Sequence, residues 1–179
     1  MTDHDSNGKA IIGSDMVLEP ANPLDPSGKP PTGIIPGFTS IFRTTKHPAD
    51  AQGPWADPHG GMQDLVGKEG VVCRIVDFPP IPADHPDDVN FMHRTISVDY
   101  GVVLKGEIEL VLDDGVKTLM KEGDVVVQRG TIHHWNNVSG QNCRVFFVLV
   151  PAEPVKVEKT GELLPATDTT HLEKPKDGA

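Results

Sequence analysis

Two stretches decide the fold: Gly101-Val-Val-Leu-Lys-Gly-Glu-Ile-Glu-Leu-Val-Leu-Asp-Asp-Gly115 and Gly123-Asp-Val-Val-Val-Gln-Arg-Gly-Thr-Ile-His-His-Trp-Asn-Asn137. In the first, Glu107 and Glu109 alternate with Ile108, Leu110 and Leu112, the period of a strand with one wet face. Asp113-Asp114-Gly115 is a hairpin signal, and Val116 to Met120 returns from it. Lys121-Glu122-Gly123-Asp124 turns the chain again, into strands at Val125–Gln128 and Ile132–Asn136. Working outward, Cys143–Val150, Val71–Phe78, the long β-prone run Phe91–Leu104 and Phe38–Thr45 extend the pattern. Strands recurring about every 8–12 residues, with turn residues between them, predict an antiparallel sandwich or barrel.

Composition agrees. The 179 residues include 18 glycines and 17 prolines, which argues against a helical bundle. The formal net charge is −10 and no block of Lys and Arg interrupts it, so nucleic acid and anionic membrane surfaces are excluded as expected partners. Met1–Lys9 is polar, without the apolar run of a secretory signal. The runs Val125–Val127 and Val145–Val150 fall far short of the ~20 residues that span a bilayer. Cys73 and Cys143 lie in apolar stretches without C-x-x-C spacing, and read as buried free thiols of a cytoplasmic protein. Residues 1–36, with proline throughout Leu18–Gly33, read as an extended arm. A barrel domain is expected over 37–158, with its motif core at 71–151. A polar tail follows at 159–179, and Val155 and Val157 are candidates for one more edge strand.

His93, Thr95, Ser97 and Asp99 lie at steps of two, so a regular strand sends all four side chains from one face. His133 follows Asp99 by 34 residues, at the start of another short strand. Two imidazoles and a carboxylate make a facial triad that suits iron, manganese or zinc with positions left open. On spacing alone this is a weak signal, because a lone strand histidine is more often a satisfied core or surface residue. His134 points opposite to His133, out of the barrel. Trp135 is either a cavity wall or core packing. Arg94 reads as a salt-bridge or dimer-surface residue, Asp124 as a turn residue bonding backbone amides, and Asn137 as orienting the loop around His133. Tyr100 reads as packing, His47 and His59 as exposed loop residues, and His4 and His171 as tail residues.

Taken together, the ordered set Gly106, Gly115, Gly123, Asp124, Gly130, His133 and Asn137 resembles the two motifs of the cupin superfamily, over roughly residues 71–151. The resemblance implies an all-β, antiparallel jelly-roll barrel with a ligand in its mouth. It puts His93 at the first histidine of motif one, Asp99 at the glutamate and His133 at the histidine of motif two. Three departures stand out: Thr95 replaces the second histidine of H-x-H, Asp99 is one methylene shorter than glutamate, and Gln128 replaces the turn proline. What the resemblance implies is a divalent ion (Fe, Zn or Mn) on His93, Asp99 and His133, with His133 and Asp99 catalytic and Thr95, Gln128 and Trp135 lining the substrate pocket. The run around Met92–Leu104, with Gln128–Asn137, is similar to stand-alone cupins of microbial and fungal secondary-metabolite clusters, among them cupin-domain oxidoreductases. That implies an oxidoreductase acting on a small hydrophobic or aromatic, polyketide-type metabolite. Two alternatives stay open: a non-redox lyase, dehydratase or isomerase using zinc or a His/Asp acid–base pair, and a metal-free small-molecule-binding accessory protein. The resemblance further implies a homodimer that covers sheet edges.

Overall fold

A computed structural model describes residues 1–25, 27–53, 55, 66, 69–85 and 91–168. Ten strands follow one another: β1 (Thr2–His4), β2 (Ala10–Ile12), β3 (Gly37–Arg43), β4 (Val72–Phe78), β5 (Ser97–Lys105), β6 (Glu107–Leu112), β7 (Lys117–Lys121), β8 (Val125–Arg129), β9 (His133–Asn136) and β10 (Cys143–Pro151). A five-stranded sheet runs β3-β4-β10-β5-β8 and a three-stranded sheet runs β7-β6-β9. Every pairing is antiparallel. This is the all-β jelly-roll barrel that the sequence leads one to expect.

Alternation builds the core. β10 buries Cys143, Val145, Phe147 and Leu149, and β4 buries Val72 and Val76. Facing them, β6 contributes Ile108 and Leu110, and β7 contributes Met120. Full burial of one such aliphatic side chain stabilises the fold by about 1.5–3 kcal/mol, so the stripe on β10 alone ties the two sheets together. Gly101 leaves room within this layer, since a Cβ there would stand 2.9 Å from the Phe147 ring.

The turns follow their sequence chemistry. Asp113–Gly115 forms one turn of 3-10 helix between β6 and β7, with Asp114 at φ 57. The Asp124 carboxylate accepts the Lys121 amide at 2.8 Å, the structural role expected of it. Gly106 joins β5 to β6 at φ 80, where an added Cβ would stand 2.9 Å from the Asn142 carbonyl oxygen.

Several details differ from the sequence reading. β1 and β2 form a small hairpin inside the segment read as an unstructured arm, and the Ala21–Phe38 bridge fastens that segment to β3. Where Val155 and Val157 suggested a strand, there is a single bridge between Lys156 and Leu163. Tyr100, expected to pack, is 48% exposed, because its neighbour Asp99 takes the inward position. Cys143 is buried and Cys73 half-buried, and both are free. His47 is exposed, whereas His59 and His171 lie outside the described residues. Among the described residues no helix is long and apolar enough to cross a membrane.

Candidate active site

The site forms where the two sheets meet. Asp99 sits on the inner face of β5, 4% exposed, with Ser97 and Thr95 buried beside it. Directly across the β5–β8 ladder from Asp99 stands Gln128, also 4% exposed. His133 opens β9 in the other sheet. His93 lies just ahead of β5 and exchanges two backbone hydrogen bonds with His133, each 2.9 Å. That bridge brings the two rings to a centroid separation of 4.4 Å, tilted by 52°. Phe91 stacks on the far side of the His93 ring at 5.0 Å.

A polar chain runs along this wall. Ser97 Oγ donates to Thr95 Oγ1 at 2.9 Å, and Thr95 Oγ1 donates to Asp99 Oδ2 at 3.2 Å. Gln128, paired across the ladder with Asp99, reaches His133, with Nε2 of each 3.0 Å apart. The tautomers follow from the backbone. Nδ1 of His133 lies 2.9 Å from the Thr131 carbonyl and Nδ1 of His93 lies 3.1 Å from the Phe91 carbonyl, so each Nδ1 carries the proton and donates it. Both Nε2 atoms are left with lone pairs, and Gln128 Nε2–H donates to that of His133. Among the described residues, two buried acceptors, Asp99 Oδ1 and Gln128 Oε1, find no hydrogen-bond partner.

Electrostatics keep the rings neutral. Burial, helped by the neighbouring His93, pulls His133 down to about 4. Burial lowers His93 as well, against the opposing pull of the Phe91 carbonyl and the Asp99 charge. Asp99 moves the other way: burial raises it, resisted by hydrogen bonds from Ser97, Thr95 and Gln128.

The site also holds a residue that the sequence reading passed over. Arg74, on the inner face of β4, is 3% exposed, with its guanidinium 5.2 Å above the Phe38 ring. Burial lowers it to about 10 while the Asp99 charge favours its protonated form, so it is a cation at neutral pH. Its alternation with Val72 and Val76, an arginine at an inward position, was the available signal.

Of the sequence-predicted residues, His93 and His133 are in ring contact, and Asp99 stands across the ladder from Gln128, whose amide reaches His133. Thr95 turns its hydroxyl to Asp99. Trp135 packs edge-on against Phe147 at 5.5 Å and tilted against Phe78 at 6.2 Å, a place at the margin of the core. His134, expected outside the barrel, is 9% exposed, because Met92 covers it with Sδ 2.9 Å from Nδ1. Arg94, read as a salt-bridge or dimer-surface residue, is half-buried and donates to the Gly130 carbonyl at 3.0 Å. Asn137 donates to the carbonyls of Phe78 and Gln141 and accepts from Ser139, which fixes the turn after β9.

Among the described residues, no group of three or more His, Cys, Asp and Glu side chains is close enough to hold a metal ion. The donor chemistry nonetheless fits a divalent cation. Two neutral imidazoles present Nε2 lone pairs, their Nδ1 protons bound to backbone carbonyls as is usual for ligating histidines, and two unsatisfied oxygens lie beside them. The fit is that of two nitrogens plus oxygen rather than a preassembled triad.

A cupin domain model matches residues 81–149. The chain is 40% identical over 91 residues to the cupin-domain-containing oxidoreductase virC of Hypocrea virens, covering 49% of this chain and 44% of that one. With phomopsin biosynthesis cluster protein D of Diaporthe leptostromiformis it shares 36% identity over 173 residues, 92% of this chain and 82% of that one. The chain belongs to the cupin superfamily. An uncharacterized protein with a double-stranded β-helix domain from Klebsiella pneumoniae is also similar to this cupin, at 15% identity and a TM-score of 0.47, covering 77% of this chain and 90% of that one. The stretch shared with the named oxidoreductase spans less than half of that relative's length.

Proposed function

We propose that this cupin is a metal-dependent oxidoreductase acting on a small hydrophobic or aromatic, polyketide-type metabolite. The observation that carries the reading is the paired imidazoles, His93 and His133, whose Nδ1 protons are committed to backbone carbonyls. The ring environment supports this reading over acid–base catalysis by His133. A general base works best with a pKa near the operating pH. His133, held near 4, is a weak base at neutral pH but a good neutral ligand. A divalent ion, when bound, supplies Lewis acidity and, for iron or manganese, a redox couple. The chain's own part is to hold the rings in one tautomer, orient Asp99 through Thr95, and keep bulk water from the buried wall. Relatives with biosynthesis-cluster and cupin-domain oxidoreductase names support the reaction class.

The test is elemental analysis of protein purified without added metal, paired with oxygen-uptake assays on a panel of phenolic metabolites. About one equivalent of iron, manganese or zinc, lost together with turnover in His133→Ala, is expected. Full turnover in strong chelator would overturn the reading. Turnover without oxygen would favour a lyase or isomerase, and saturable ligand binding without metal or turnover would mark an accessory protein.

The same proposal includes a cytoplasmic homodimer. Tyr100, Leu104, Val125 and Val127 expose apolar side chains on the neighbouring strands β5 and β8, and β8 ends the five-stranded sheet. Burying that patch and edge against a second copy removes both liabilities.

A further inference from the structure

We infer that Gln128 is the oxygen donor that completes the metal site, in place of the histidine absent at Thr95; this rests on the metal reading above. The motif-one position that lost its imidazole has taken up another task, since the Thr95 hydroxyl donates to Asp99 Oδ2 at 3.2 Å. Among the described residues no three His, Cys, Asp and Glu side chains assemble, which directs attention to donors of other types beside the two rings. Gln128 is the side chain in that place. It is 4% exposed, stands directly across the ladder from Asp99, and holds its amide 3.0 Å from His133 Nε2.

The spacing has a physical meaning. Two donors each about 2.1 Å from one ion and at right angles to each other lie about 3 Å apart. The Gln128 amide and His133 Nε2 already have that separation. As it stands, the amide turns Nε2 toward the ring and leaves Oε1 buried without a partner. A half-turn about the terminal torsion exchanges two groups of nearly equal size and brings Oε1 to the ligand position. An amide N–H therefore occupies the imidazole lone pair here, and the turned amide would present an oxygen in its place. Asp99, directly across the ladder, carries the other buried acceptor without a partner among the described residues, so a cation here would meet a carboxylate neighbour.

The experiment uses the full chain and Co(II) as the probe. Equilibrium dialysis gives the dissociation constant, and the visible absorption of bound Co(II) reports its coordination. Gln128→Leu is expected to weaken Co(II) binding by about tenfold or more and to change the spectrum. Gln128→Glu, near-isosteric and offering oxygen in either orientation, is expected to tighten binding and keep a wild-type-like spectrum. If wild type binds one Co(II) and Gln128→Leu binds it equally well with the same spectrum, Gln128 is not a ligand and the metal reading stands without it. If wild type binds no Co(II), Fe(II) or Zn(II), the metal reading itself fails and takes this inference with it. Circular dichroism checks folding; should Gln128→Leu not fold, unchanged affinity in Gln128→Glu counts against the inference.

Discussion

Asp99 and His133 are buried groups whose charged forms the barrel disfavours, and they set the acid response of the metal-free protein. The folded-state value of His133 is about 4, against 6.5 for the free group, so between those values the unfolded chain binds more protons than the native one. Stability therefore falls as pH drops from about 6.5 toward 4. Urea denaturation at pH 7, 6 and 5 in chelator should show that loss, with a shallower slope in His133→Gln. Asp99 acts in the opposite sense. Its raised value means that the ionised carboxylate costs stability at neutral pH, so metal-free Asp99→Asn should melt higher than wild type at pH 7. The advantage should fade as pH approaches the ordinary carboxylate value of 3.8, while metal affinity falls throughout. Equal melting temperatures at pH 7 would show that burial of this carboxylate carries no such cost.

Particular elements show how much of this could be read from the sequence. The alternation in β6 gave the inward Ile108 and Leu110, but Val111 is buried as well and Leu112 only half-buried, and Asp113-Asp114-Gly115 gave the turn between β6 and β7. The step-of-two row held for Thr95, Ser97 and Asp99, which are all buried, but His93 lies outside β5 and reaches the site through its bridge to His133. That bridge is a tertiary contact across 40 residues, and no local period encodes it. Gln128 gains its place from the β5–β8 register, which likewise exists only after pairing. The β1–β2 hairpin was missed because its strands are three residues each, too short for a period to emerge. Two predictions belong to this scale. Asn137→Ala should cost about 1–3 kcal/mol in urea unfolding, since the buried Asn137 amide holds the carbonyls of Phe78 and Gln141 and accepts from Ser139. Gly106→Ala should cost about 1–3 kcal/mol, from its positive φ and from the approach of Asn142.

Across the whole molecule, the outer surface of the five-stranded sheet carries an association prediction. Light scattering should give twice the chain mass, and Val127→Lys, on the exposed face of the end strand, should shift the protein toward the monomer with its metal content unchanged. A monomeric wild type would remove the dimer from the proposal. The His93–His133 bridge has a different reach. Its two bonds are made by main-chain atoms, so truncating either ring removes chemistry without undoing the clasp between the sheets. Single-site knockouts at these positions should therefore yield intact, well-formed scaffolds, whereas anything that pries this clasp apart would scatter both imidazoles at once and switch off the whole centre in one stroke.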